Sequence, residues 1–94
     1  MKSIKISQFG AALASRTEGR EAALSTIAYE FKASVPTHVI LDFEGVVIMT
    51  PSWLGEFVQT LQANGVKTVD YHNTSETVRS SIEFIGEETR PSGS

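Results

Sequence analysis

Polar and apolar residues alternate at the start of the chain, through Lys2, Ser3, Ile4, Lys5, Ile6 and Ser7. Ile4 and Ile6 share one face, which predicts a half-buried strand. Phe9 to Ala14 has no clear period and reads either as a second short strand or as an irregular link, with Gly10 suited to a turn. At Ser15 the pattern changes. Ser15-Arg16-Thr17-Glu18 has the spacing of a capping box, and Ala23, Leu24, Ile27, Ala28 and Phe31 recur at helical spacing. A helix to about Lys32 is predicted, with Gly19 in its first turn and Pro36 in the exit loop.

Val39, Ile40, Leu41 and Phe43 make a nearly continuous apolar run around Asp42. Such a run predicts a strand covered on both faces, as in a parallel sheet. Gly45 breaks it, and Val46 to Met49 leads into Thr50. Thr50 as N-cap and Pro51 at the first helical position open a second helix, where a missing N–H is harmless. Trp53, Leu54, Phe57, Val58 and Leu61 line one side of it, and Asn64-Gly65 supplies its stop. Lys67 to Tyr71 predicts another strand. Asn73-Thr74-Ser75-Glu76 predicts a third helix capped by Asn73, with Val78, Ile82 and Ile85 inward and Gly86 at its end. Strands separated by helices run parallel when they are neighbours. The expected fold is an α/β sandwich with a mostly parallel sheet of about four strands and three helices. One domain spans 1–86, and 87–94 forms a polar flexible tail.

Composition narrows the function classes. The 94 residues include eight Lys and Arg against eleven Asp and Glu, a net charge of −3. The basic residues are scattered, which leaves no phosphate-tracking stripe for direct nucleic-acid binding and no basic patch for a membrane surface. With no cysteine, disulfides, thiolate metal sites and thiol nucleophiles are excluded. There is neither a signal-peptide pattern at the start nor an apolar run long enough to insert in a membrane, so a cytoplasmic location is expected. His38 and His72 lack i, i+4 ligand partners, and the sequence has neither a Walker motif nor a G-x-G-x-x-G run. No metal or other cofactor is expected.

The chemistry that remains is concentrated at Thr50-Pro51-Ser52. A helix N-terminus carries unpaired N–H groups and a partial positive charge. A phosphorylated hydroxyl there would bring nearly two negative charges to a site that favours them. A surface can thus change sign while the helix persists. Trp53 fits the core by its spacing and an anchor for a partner by its type. Arg16, beside Ser15 and Thr17 at the start of the first helix, suits an acidic group or plain exposure.

These residues also carry a resemblance. Leu41-Asp42-Phe43, then Val46 to Met49, then Thr50-Pro51-Ser52-Trp53-Leu54-Gly55 resembles the signature segment of STAS domains, the anti-sigma-factor antagonist fold. That segment is a strand of the form L-[DN]-[LF], an apolar connection, and [DT]-S-[ST]-G-L-G opening a helix. The likeness covers most of the chain from Ile4 to Gly86 and looks closest to a divergent STAS-like branch of bacterial or phage type. Pro51 stands where the family carries its phosphoacceptor serine, with Ser52 and Thr50 as neighbouring hydroxyls. The resemblance implies a regulatory protein–protein interaction module and no enzyme. Its partner would be an ATPase- or kinase-fold anti-sigma factor or a helix-turn-helix regulator, and homodimers are within the pattern. The docking face expected is Thr50, Pro51, Ser52, Trp53, Leu54 and Gly55, with Asn73 and Arg16; Ser52 and Thr50 are the candidate phosphoacceptors.

Two other readings compete. A small serine hydrolase can be drawn from Ser52 and His72, with Asp42 or Asp70 orienting the histidine. Pro51 and Trp53 are poor substitutes for the small residues around a nucleophile elbow. An accessory or structural subunit of a larger ATPase or transporter complex would use the same docking face without a switch.

Overall fold

The computed structural model describes the backbone of residues 2–89 and the side chains of residues 2–86. The expected strand and helix order holds, with additions. β1 (Lys2–Lys5) leads through a 3-10 turn (Ile6–Phe9) to β2 (Ala12–Leu13), then α1 (Arg16–Tyr29), β3 (His38–Asp42), β4 (Ile48–Met49), α2 (Pro51–Ala63), β5 (Thr68–His72) and α3 (Glu76–Thr89). The described residues thus hold five short strands where about four were expected. They form a three-stranded sheet in the order β1-β3-β5 and a two-stranded sheet β2-β4, and every pairing is parallel.

The two sheets are successive parts of one bent pairing. β1 runs beside β3, with Ile4 opposite Leu41, and β2 runs beside β4, with Leu13 opposite Met49. Six residues separate β1 from β2 and five separate β3 from β4, so the pairing resumes one residue out of step. The interruption lets the ribbon change direction. It brings the end of β4 to the start of α2.

All-parallel sheets are ordinarily covered on both faces. This one is covered on one. Val39 and Leu41 of β3 are fully buried, while His38, Ile40 and Asp42 are half-buried on the opposite face. β1 buries Ile4 and exposes Ser3 and Lys5; β5 exposes Thr68, Asp70 and His72. The expectation of a strand buried on both faces is corrected: burial alternates, as it does when helices lie on one side only. The apolar positions that made the run look continuous are Ile40, which is half-buried, and Phe43, which is buried beyond the strand's end.

α2 carries the largest share of the core, with Trp53, Leu54, Phe57, Val58 and Leu61 all buried. Trp53 stacks on Phe57 at 5.0 Å between ring centroids and an angle of 11°. Gly65, at a φ of +116°, follows the helix end, and the Val66 N–H returns to the Leu61 carbonyl. α1 ends at Tyr29, short of Lys32; of its expected stripe Ala23 and Phe31 are buried and Ile27 packs half-buried against the core, but the buried face is turned away from Leu24 and Ala28. Gly19, Ala22, Ala23 and Thr26 are buried, whereas Leu24 is 44% exposed and Ala28 lies outside. The reason is the closeness of α1 to α2: a Cβ on Gly19 would collide with the carbonyl group of Trp53. Only the smallest side chains fit that seam. Thr26 is buried there with its hydroxyl donating to the Ala22 carbonyl.

α3 buries Val78, Ser81 and Ile85. The Ser81 hydroxyl donates to the Met49 carbonyl and ties α3 to β4. Two expectations at this helix are corrected. It runs past Gly86 to Thr89, and its cap is Ser75, whose hydroxyl accepts the Val78 N–H. Asn73 instead adopts a left-handed conformation at φ 57°, in which its side chain reaches Asp42. Of the expected tail, residues 90–94 lie outside the described residues.

Candidate functional site

Thr50 is placed by β4. After Leu13 pairs with Met49, the Thr50 N–H donates to the Leu13 carbonyl at 3.0 Å. The Thr50 hydroxyl then serves twice: it donates to the Ala14 carbonyl at 2.8 Å and accepts the Trp53 N–H at 3.3 Å. It is therefore the N-cap of α2 and a clasp across the end of the β2–β4 pair. Pro51 takes the first helical position, as its missing N–H favours. Ser52 follows at the second position, exposed, and its hydroxyl makes no hydrogen bond among the described residues.

α1 starts beside it. The Ser15 hydroxyl accepts the Glu18 N–H, which leaves Arg16 in the first turn with its side chain exposed. A cleft of about 510 Å³ opens between the helices. α2 contributes Pro51, Ser52, Gly55, Glu56 and Gln59 to its wall; α1 contributes Arg16, and α3 contributes Phe84 and Ile85. The wall thus combines a positive helix end and a guanidinium with the Glu56 carboxylate. Phe84 gives the cleft an aromatic surface, with 51% of the residue exposed. Such a hollow can seat a side chain of another macromolecule. It places no nucleophile–base pair in hydrogen-bond reach.

Of the expected docking residues, the structure brings Arg16, Pro51, Ser52 and Gly55 together in this cleft. Trp53 and Leu54 are removed from it: they are 1% and 0% exposed, because the apolar stripe of α2 turns them into the core. Asn73 stands elsewhere. Its amide donates to the Asp42 carboxylate at 2.8 Å, and it is not a wall of the cleft. Phe84 was missed by sequence reasoning. Its signal is an aromatic residue lying off the Val78–Ile82–Ile85 stripe of its own helix.

Asp42 closes β3 at the rim of the sheet. The Asn73 amide holds its carboxyl below the ordinary carboxylate value, helped by the Glu44 N–H at 3.0 Å and the positive charge of Lys5 nearby. Asp70 pairs with His38 at 2.7 Å between side chains that are 51% and 32% exposed. Both acids proposed to orient His72 are thus occupied by other partners. Among the described residues His72 is hydrogen-bonded to neither of them, nor to Ser52. The described residues contain no helix long and apolar enough to cross a membrane, and no group of three potential ligands for a metal ion.

Comparison of the chain with protein-family models, with curated proteins and with solved structures gave no match.

Proposed function

We propose that the chain is a non-enzymatic regulatory interaction module of STAS-like type, docking a protein partner in the cleft at the start of α2, with Ser52 as its switch. The observation that carries this reading is the contrast between two hydroxyls two residues apart. That of Thr50 is consumed by the cap and by Ala14, whereas that of Ser52 is exposed in the cleft wall and free of structural duty. Modification of Ser52 would change the charge of the cleft and leave the clasp in place. Of the two candidate phosphoacceptors, Ser52 alone suits a switch that preserves the fold. The partner fitting the resemblance is an ATPase- or kinase-fold anti-sigma factor, which would supply both nucleotide and phosphoryl group, or a helix-turn-helix regulator.

The test is quantitative binding of the partner captured from the source cell. Ser52→Asp and Phe84→Ala are each expected to weaken it at least tenfold, about 1.4 kcal/mol. Lys67→Ala, remote from the cleft wall, is expected to bind like the wild type. Equal binding by wild type and Ser52→Asp removes the switch and leaves an accessory subunit docking through the same surface.

A further inference from the structure

The β2–β4 pair has two outer edges, and they are finished differently. On the β4 side, the Met49 carbonyl accepts the Ser81 hydroxyl of α3. On the β2 side no such cover exists. The Ile48 N–H donates to the Ala11 carbonyl and the Thr50 N–H to the Leu13 carbonyl, so Ala11 and Leu13 are the residues that meet β4. In a parallel pairing the residue between them turns its own N–H and C=O the other way. That residue is Ala12. It is exposed, β2 pairs with no strand but β4, and neither backbone group of Ala12 has a hydrogen-bond partner among the described residues.

The side chains around this edge do nothing to close it. Further back on the same edge, β1 carries Lys2 and Lys5, and charged side chains discourage the addition of another strand. From Gly10 to Ala14 the chain reads Gly-Ala-Ala-Leu-Ala, with no charge and no proline. The adjoining face is apolar as well. Ala12 lies opposite Ile48 and both are exposed, while Leu13 and Met49 turn into the core. Ile48 is 53% exposed and its neighbour Val47 66%. An open, uncharged edge bordered by apolar side chains is a template for a strand of another chain.

We propose that this edge pairs with the same edge of a second copy, antiparallel, about a two-fold axis at Ala12. Self-complementarity selects this occupant. Ala12 offers one donor and one acceptor to the same side, which lets it exchange both bonds with its own symmetry mate. Two chains of net charge −3 repel each other, and this edge brings no like charges face to face. The product is a four-stranded sheet in the order β4-β2-β2-β4, with Ala12 and Ile48 of both copies in one row on its outer face. So few residues cover far less than the roughly 800 Å² per partner of a stable complex, so the dimer is weak, with a dissociation constant on the order of 100 µM. The edge shares no residue with the cleft wall, so the pairing is independent of the switch at Ser52.

The wild-type chain carries the test. Exchange of its backbone amides with water is measured by NMR at about 50 µM and about 1 mM; the Ala12 amide is expected to exchange about threefold more slowly in the concentrated sample. The Leu13 amide, which already faces β4, should keep its rate. Over the same range, the sedimenting mass should rise from one chain toward two. Ala12→Lys puts a charge at an exposed position whose own backbone groups serve no pairing within the chain. It is expected to keep the urea midpoint of wild type and to stay monomeric. A wild-type chain that is monomeric in the concentrated sample, or whose Ala12 amide exchanges at one rate in both, overturns the proposal without any variant. Self-association that persists in Ala12→Lys places the interface elsewhere and overturns it. Growth beyond two copies does so too, because a two-fold pairing is closed.

Discussion

Removing the Thr50 hydroxyl breaks two contacts at once, the cap on the Trp53 N–H and the clasp to the Ala14 carbonyl. Thr50→Ala is expected to cost about 1–2 kcal/mol in urea unfolding, and Thr50→Ser to restore most of it. Thr50→Asp can still cap but cannot donate to Ala14, so it should lose stability where Ser52→Asp does not. Asp42 gives a pH signature. Its folded-state carboxyl titrates below its ordinary value, so its stabilisation is fully present above about pH 4 and is lost as pH falls through the lowered value. Urea midpoints measured from pH 7 to pH 2 should show Asp42→Asn less stable than wild type at neutrality, with the gap closing in acid. At this scale the sequence was readable where chemistry is local. Thr50-Pro51 and Ser15-x-x-Glu18 are caps whose partners lie three residues away. Asn73 was misread because its partner, Asp42, is 31 residues distant and needs a left-handed backbone to be reached.

At the scale of elements, the seam between α1 and α2 is decided by what is absent. Gly19→Ala places a methyl group against the Trp53 carbonyl, where the obstruction is backbone and cannot swing aside. A loss of at least about 2 kcal/mol is expected in urea unfolding, in spite of the better helix propensity of alanine. A gain in stability would show that the helices can part without cost. This seam was hidden in the sequence because hydrophobic spacing ranks Leu24 and Ala28 above Gly19 and Thr26. Close packing reversed that ranking. α2 was legible throughout, since its stripe of large apolar residues is the one the core buries. β2 was legible only as one of two readings of Phe9 to Ala14, and β4 not at all, because two residues cannot establish a period. Their pairing exists only because the longer strands before them already run side by side.

The whole molecule places its helices on one side of a parallel sheet and gathers three helix surfaces around Ser52. Parallel pairing and the α/β class were readable from strands alternating with helices. The open sheet face was not, because Ile40 and Phe43 disguise an alternating strand as a buried one. The cleft was half readable: its α2 wall is contiguous in sequence, while Arg16, Phe84 and Ile85 arrive from other helices. The exposure of Ser52 at its wall is the physical basis of the proposed switch, and magnitudes decide whether charge there can be tolerated. An acid at the second helical position gains about 0.3–1 kcal/mol from the helix end, and its repulsion from Glu56 four residues on costs about 0.2–0.5 kcal/mol. The two nearly cancel. The most direct measurement is therefore a comparison of backbone and indole correlation spectra of wild type and Ser52→Asp, with urea unfolding of the same samples. Shifts are expected to be confined to Arg16, the first turns of α2 and the Phe84 region, with an unmoved Trp53 indole peak and stability within about 0.5 kcal/mol of wild type. Shifts spreading through β1, β3 and β5, with a stability loss above about 1 kcal/mol, would contradict the proposed switch.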